Sequence, residues 1–381
     1  MNFSFTEEQT LLRDSLASYL ADHYSFEQRR AAIKSTAGWR PQVWKAFAED
    51  LGILGAAFPE DLGGLGGGAT ETMVIMEELG KALVVEPYLA TVVIAGGFLK
   101  RSGHPAASEL IGRIVAGEAT FAFAYAEPQG RYALHDLATT ARKDGAGYVL
   151  NGQKAVVVGA PWASHLIVTA RTGGARRDLG GVSVFLLPKD APGVTLREYP
   201  TVDGARAADV GFENVALPAS ALIGPEGEAL PMVEAVVDEA TAALCAEACG
   251  VLRRLHESTV EYAKQRKQFG QPISQFQVLQ HRMVDMFIAF EQSVSMSYMA
   301  HIRLGGADDE RARAVSAAKV QIGRACRFVG QNAIQLHGGM GMTDEMAIGH
   351  YFKRATLIEA QFGNTDHHLA RYEALSFGKA A

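Results

Sequence analysis

The chain runs to 381 residues, too long for one compact core, and domains of roughly 100–150 residues point to three. With 48% hydrophobic and 20% charged residues it has the material for large cores, which excludes a disordered chain. Lys+Arg 36 against Asp+Glu 42 leaves a formal charge of -6, so no global positive field gathers nucleic acid or anionic lipid.

The opening Met-Asn-Phe-Ser-Phe-Thr-Glu-Glu has neither the basic flank nor the apolar run of a secretory signal. Nowhere do about 18 apolar residues run uninterrupted, so a cytoplasmic location is expected. Residues 1–116 read as an N-terminal helical domain. Thr6 is placed to cap a helix in which Leu11, Leu12, Leu16, Tyr19 and Leu20 recur at helical spacing. A second helical pattern runs from Glu71 to Val85 through Met73, Val74, Met76, Leu79, Leu83 and Val84. Between them, Phe58-Pro59-Glu60-Asp61-Leu62-Gly63-Gly64-Leu65-Gly66-Gly67-Gly68 demands a tight loop.

Across 117–228 the texture changes to short apolar runs bounded by Gly, Pro, Asn and Asp, at 120–125, 148–150, 155–158, 165–170, 182–187 and 210–212. Asp144-Gly145 and Asn151-Gly152 are hairpin-turn dipeptides that bracket a short strand. No helical pattern separates these runs, so a central antiparallel β domain, sandwich or barrel, is expected rather than a parallel sheet. From 229 to 381 the helical period returns, in runs at 232–265, 275–304, 308–336 and 347–377, and predicts a C-terminal helical bundle.

Several clusters allow both a functional and a plain structural reading. Cys245 and Cys249 are one helical turn apart, but no nearby His or acidic cluster completes a metal site, so they and Cys326 are expected as buried thiols. Gly338-Gly339-Met340-Gly341 follows a helix rather than a strand, so a helix C-terminal turn is favoured over a phosphate loop. The corner Arg266-Lys267-Gln268-Phe269-Gly270-Gln271-Pro272-Ile273 sets a guanidinium fork beside an aromatic ring and can hold a pyrophosphate; equally, it reads as an exposed basic corner between two helices. Asp366-His367-His368 invites a metal, yet adjacent histidines point apart, so polar contacts near a cofactor or subunit edge are the expectation. Glu247 lies in an apolar helical stretch, where burial raises a carboxyl pKa and suits a base; the alternative is a carboxylate accepting hydrogen bonds from a partner helix. Asp238 and Glu239 open the same apolar section and also read as ordinary solvent-facing acids.

Taken in order along the chain, these segments resemble the acyl-CoA dehydrogenase superfamily. The resemblance is carried by Phe5-Thr6-Glu7-Glu8-Gln9, by Gly52-Ile53-Leu54-Gly55 with the Pro59–Gly66 loop, and by Glu77-Glu78-Leu79-Gly80. It continues through Ala126-Glu127-Pro128, Leu150-Asn151-Gly152-Gln153-Lys154, Arg266-Lys267-Gln268-Phe269-Gly270 and Gln335-Leu336-His337-Gly338-Gly339-Met340-Gly341.

The resemblance implies an N-terminal helical domain, a central β domain and a C-terminal four-helix bundle, assembled as a dimer or dimer of dimers. FAD would lie between the β domain and the bundle. Arg266 and Phe269 would meet its pyrophosphate and adenosine end, with Gln335 and Gly339 reaching it from a neighbouring subunit and Asn364 and Asp366 near the same end. The implied reaction is α,β-dehydrogenation of an acyl-CoA thioester, in which a carboxylate takes the α-proton and hydride passes to the flavin. An electron-transfer flavoprotein is the kind of acceptor such enzymes use.

The sequence departs from the family at its reacting centre. Counting from Gly338-Gly339, the family's base falls on Phe362; counting back from Phe269, the alternative base position on the first bundle helix falls on Ala240, with Thr241 beside it. Glu239 and Glu247 are then the candidates for a relocated base. Three flavin-facing positions hold Ala126, Val156 and Val158, and Gln129-Gly130-Arg131-Tyr132 replaces the usual small-residue loop, leaving backbone amides to serve the isoalloxazine. Phe362-Gly363-Asn364-Thr365-Asp366-His367-His368 is similar to the small subunit of pimeloyl-CoA dehydrogenase and related partner chains, which often work in α2β2 assemblies. The expected function is therefore acyl-CoA dehydrogenation as a subunit working with a partner chain; the alternatives are a self-sufficient enzyme with a relocated base and a non-catalytic subunit that binds CoA esters or FAD.

Overall fold

The computed structural model describes residues 4–378, so the first three residues of the opening segment lie outside it. Along the chain a helical segment is followed by a β segment and a second helical segment, the order the periodicity predicts.

The N-terminal segment holds α1 (Glu7–His23), α2 (Phe26–Lys34), α3 (Pro41–Glu49), α4 (Ala69–Ala82), α5 (Gly96–Ser102) and α6 (Ala107–Val115). Thr6 starts α1 as expected: its hydroxyl accepts from the Gln9 amide, and the Gln9 side chain accepts from the Thr6 amide. This reciprocal box satisfies two amides that the helix start leaves unpaired. Leu16 and Leu20 are buried while Leu11 faces solvent. The glycine-rich loop turns at Gly63 and Gly66, with φ of 82° and 77°.

The β segment holds β1 (Phe121–Ala124), β2 (Thr140–Asp144), β3 (Gly147–Val158), β4 (His165–Arg171), β5 (Val182–Pro188), β6 (Val194–Pro200), β7 (Arg206–Pro218) and β8 (Leu222–Ile223). They form one sheet in the order β6-β7-β3-β2-β4-β5-β8, with β1 on β4, over a core that includes Leu150, Val168, Phe185 and Val210. Most pairs are antiparallel, but β1–β4 and the single β2–β4 bridge, Thr140 to Arg171, are parallel, so the sheet is mixed. Parallel pairing needs a crossover, and the β2–β3 hairpin between β1 and β4 supplies the chain for it.

Asp144-Gly145 does turn β2 into β3. Asn151-Gly152 does not turn: it is a bulge inside β3, so the two short strands expected there are one. Gly152, at φ 143°, passes so close to Thr139 that a Cβ would lie 2.6 Å from its Cα, and the Asn151 side chain accepts from the Asn214 amide on β7. Strand β2 escaped the periodicity because only Ala141 in it is buried.

The C-terminal segment holds α7 (Leu230–Gln265), α8 (Gln277–Arg303), α9 (Asp308–His337), α10 (Ala347–Ala360) and α11 (Thr365–Phe377). The single helix expected at 347–377 is thus two. Phe362 and Gly363 have φ of 56° and 117°, which no helix tolerates, and Asn364 restarts the chain as the N-cap of α11.

The described residues fall into two compact units, one from 4–31, 69–84 and 241–378, the other from 32–68 and 85–240; α7 contributes to both. In the first unit α4 crosses α7 at two glycines. A Cβ on Gly80 would lie 2.1 Å from the Glu247 carbonyl oxygen, and one on Gly250 2.0 Å from that of Glu77. Only glycine allows the backbones so close. Among the described residues no helix is long and apolar enough to cross a membrane.

Candidate functional site

In the first unit, α7 ends at a two-stranded hairpin, β9 (Lys267–Gln268) and β10 (Gln271–Pro272). Its turn puts Phe269 at φ 53° and Gly270 at φ 82°. Phe269 is 93% exposed, and Arg266 is exposed at the base of the hairpin. An aromatic ring held in water on a rigid turn, with a guanidinium close in sequence, fits a ligand that is planar at one end and anionic at the other. At the end of α9, Gln335 and Gly339 are also exposed. Gly338, at φ 60°, stops the helix, and the Gly338–Met342 stretch continues as a 3-10 turn. The glycine cluster is thus a helix C-terminal turn, with open space around Gly338 and Gly339.

The connection between α10 and α11 contains the position that the resemblance gives to the base. Phe362 is buried there, and the surrounding backbone is held from α9. The Lys319 ammonium donates to the carbonyls of Glu359, Gln361 and Gly363 at 3.1, 2.8 and 2.6 Å. His368 Nε2 lies 3.1 Å from the Phe362 carbonyl, and its Nδ1 lies 3.3 Å from Ser316 Oγ. A carbonyl can only accept, so Nε2 carries the hydrogen and Nδ1 accepts from Ser316. Burial, and then the Lys319 charge, press the His368 pKa far below its ordinary value and keep the ring neutral. The Asn364 side chain accepts from the His367 amide, while Asp366 is exposed in the first turn of α11. The two histidine rings stand edge to face at 87°, and among the described residues no cluster suited to a metal forms.

The two carboxylates proposed from sequence are each held by arginine. Glu247, in the first unit, accepts from Arg354 of α10 at 2.5 and 2.7 Å, the partner-helix contact that was its alternative reading. Glu239, in the second unit, accepts from Arg101 on both oxygens. It is therefore not the freely solvated acid its position suggested. A general base needs an unengaged lone pair within reach of its proton, and two-pronged arginine pairing occupies the favoured ones. Ala240 and Thr241 between them are fully buried.

In the second unit, Ala126, Val156 and Val158 offer no polar side-chain atom. Val156 sits at a second bulge of β3 with φ 52° and 55% exposure, a strained conformation for a β-branched residue. Its amide is taken by Asp209 Oδ1, and the Ala126 carbonyl by the Ala155 amide. Fewer backbone groups are free there than the sequence suggested. Next to them lies an ion pair whose members belong to two separate sequence motifs: Lys154 Nζ and Glu127 Oε1 are 2.7 Å apart, with side chains 0% and 2% exposed. Glu127 also accepts from Ala138, Thr139 and Gln129, so the pair pins the 125–139 loop. Burial lowers the Lys154 pKa to about 8, against the opposing pull of Glu127. Lys319 was missed too, although a lone lysine within Ala317-Ala318-Lys319-Val320 is a sequence signal for a buried cation.

The chain matches the sequence profiles of the acyl-CoA dehydrogenase N-terminal, middle and C-terminal domains over residues 6–118, 122–215 and 230–373. It is 30% identical to acyl-CoA dehydrogenase FadE12 of Mycobacterium tuberculosis across 93% of this chain and 92% of that one. It is 29% identical to the probable acyl-CoA dehydrogenase YngJ of Bacillus subtilis across 96% and 97% of the two. The ChsE4-ChsE5 complex from Mycobacterium tuberculosis contains a chain of the same fold, with a TM-score of 0.89 at 27% identity, 99% of each chain being covered. The chain belongs to the acyl-CoA dehydrogenase family. It is accordingly a flavoprotein oxidoreductase with FAD as cofactor. Phe269 and Arg266 leave an aromatic ring and a guanidinium open to solvent, the chemistry a planar, anionic cofactor takes, whereas Ala126, Val156 and Val158 present only apolar side chains.

Proposed function

We propose that the chain is the FAD-binding partner subunit of a hetero-oligomeric acyl-CoA dehydrogenase, whose second, homologous chain carries the α-proton base. The observation that carries this reading is Phe362: a residue that cannot accept a proton, buried at the position where the resemblance puts the base. The arginine pairing of Glu239 and Glu247 supports it, because both candidates for a relocated base are already engaged.

FAD, when bound, supplies the hydride acceptor. This chain's share is to bind and orient it: Arg266 by charge-assisted hydrogen bonds to phosphate, Phe269 by stacking, and Gln335 and Gly339 at a neighbouring subunit's cofactor. Asn364 and Asp366 stand near the same end, Asn364 through the cap it already forms. The three segments 1–116, 117–228 and 229–381, a cytoplasmic location and an electron-transfer flavoprotein as acceptor belong to the same reading. So does an acyl-CoA thioester as substrate.

The test is anaerobic stopped-flow at the flavin band, with the chain alone and with co-purified partner. The isolated chain is expected to bind FAD but to show little bleaching with any thioester, since more substrate cannot replace a missing base. Adding the partner is expected to restore it. Bleaching of the isolated chain at about ten per second, an ordinary turnover rate, overturns the reading. Purification without flavin at any stage favours the non-catalytic subunit instead.

A further inference from the structure

Lys319 is fully buried in the middle of α9, and the partners recorded for its amine are backbone carbonyls rather than a carboxylate. The three carbonyls belong to Glu359, Gln361 and Gly363, so they span the end of α10 and the turn that follows it. An ammonium has three N–H donors and no lone pair, which matches three acceptors; a neutral amine would turn a lone pair toward one of them. Carbonyls at a helix C-terminus are also the negative end of its dipole and favour a cation.

Other residues of α9 serve the same segment. One turn after Lys319, Gly323 leaves the space that Thr365 Oγ1 fills, since a Cβ there would lie 2.6 Å from it. A further turn on, Arg327 pairs with Glu359, whose Oε1 also accepts from the Thr365 amide and hydroxyl. Ser316 reaches the Phe362 carbonyl through His368. Gly363 fits against that histidine only without a side chain. A segment with two consecutive positive φ values persists when its surroundings over-determine it, and here they do.

We infer that Lys319 is a positioning residue: by gathering the carbonyls of Glu359, Gln361 and Gly363 it sets the backbone of the α10–α11 connection, and with it the placement of residue 362. Its bearing on the reaction rests on the reading of 362 as the family's base position. In this chain the same backbone carries Phe362, so the scaffold for a base is retained while the base itself is replaced.

The experiment is hydrogen exchange, peptide by peptide, on FAD-loaded wild type and Lys319→Met, with Phe362→Glu prepared in both backgrounds. Lys319→Met is expected to speed exchange across 360–368 by at least about tenfold while peptides from α8 and the sheet stay within about twofold. Unchanged exchange at 360–368, or an equal rise everywhere, overturns the inference. Should Lys319→Met not fold, the wild type decides: 360–368 is expected to exchange at least about a hundredfold slower than the exposed 338–343 turn, and equal rates overturn the inference. Phe362→Glu is expected to gain flavin bleaching by acyl-CoA, and Lys319→Met to remove that gain with FAD content unchanged. A gain that survives Lys319→Met overturns the inference. No gain from Phe362→Glu, with the local exchange effect intact, supports the positioning role and overturns instead the reading of position 362.

Discussion

Arg354 grips Glu247 with both prongs of its guanidinium, Nε 2.5 Å from Oε1 and NH2 2.7 Å from Oε2, and so ties α10 to α7. The side chains are only 17% and 7% exposed. Removing one partner of a buried pair strands the other, so Glu247→Ala is expected to lower stability by about 3–5 kcal/mol. Glu247→Gln, which keeps one acceptor, is expected to cost about 1.5–3 kcal/mol. Denaturant unfolding measures both. Single-turnover flavin reduction of the assembled complex separates the roles: loss of a base lowers it at least about a hundredfold, and we expect Glu247→Gln to leave it nearly unchanged.

The α4–α7 crossing depends on its glycines. Gly250→Ala drives a methyl group into the Glu77 carbonyl and is expected to destabilise by at least about 1–3 kcal/mol, the usual range for overpacking. Gly305→Ala, with open space around it, is the control and is expected to stay within about 0.5 kcal/mol. Equal midpoints for the two variants would refute the close crossing.

The Glu127–Lys154 pair sets an acid limit on the β-rich unit. Burial alone raises the Glu127 pKa, but the Lys154 charge and the donors from Lys154, Gln129 and Ala138 outweigh it and hold the carboxyl below its ordinary value of 4.5. A carboxyl depressed in the folded state contributes stability above its unfolded pKa and loses it as pH falls through the folded one. Stability is therefore expected to fall as the pH drops below about 4.5. Glu127→Gln should start lower at neutral pH and show a flatter acid slope, read from urea midpoints between about pH 7 and pH 3.

At the hairpin, Arg266→Ala is expected to weaken FAD retention by roughly 1.5–3 kcal/mol, the range for hydrogen bonds to a charged group. Arg266→Lys keeps the charge and loses the fork, so only partial rescue is expected. Phe269→Ala is expected to cost about 0.5–1.5 kcal/mol through lost stacking. Titration of the apoprotein with FAD checks all three, and unchanged affinity in folded variants removes the hairpin from the cofactor site.

The long helices and the sheet interior are legible in the sequence because each repeats an apolar spacing that one buried face requires. Thr6 and Gln9 even specify the first cap. Strand β2 is not legible, because a strand that buries one side chain leaves no alternation to read. The break at Phe362 and Gly363 is hidden for another reason: the apolar period runs on through it, and the restraint comes from Lys319, over forty positions away in sequence. Glu127 and Lys154 were each visible as parts of motifs, but their pairing needs the fold. The identity of the residues at the candidate site is thus readable from the chain, while their engagement is not: nothing local to Glu239 or Glu247 announces Arg101 or Arg354.

Cys245 and Cys249 on α7 and Cys326 on α9 are at most 1% exposed, and burial pushes the thiols of Cys245 and Cys326 up to about 12. Alkylating reagents attack the exposed thiolate, so the folded chain is invisible to them. Each labelled cysteine then records one excursion that pulled α7 or α9 apart. The chain in effect carries its own unfolding clock, and mass spectrometry can read its ticks in assembled and unassembled subunits alike, without a dye or an engineered probe.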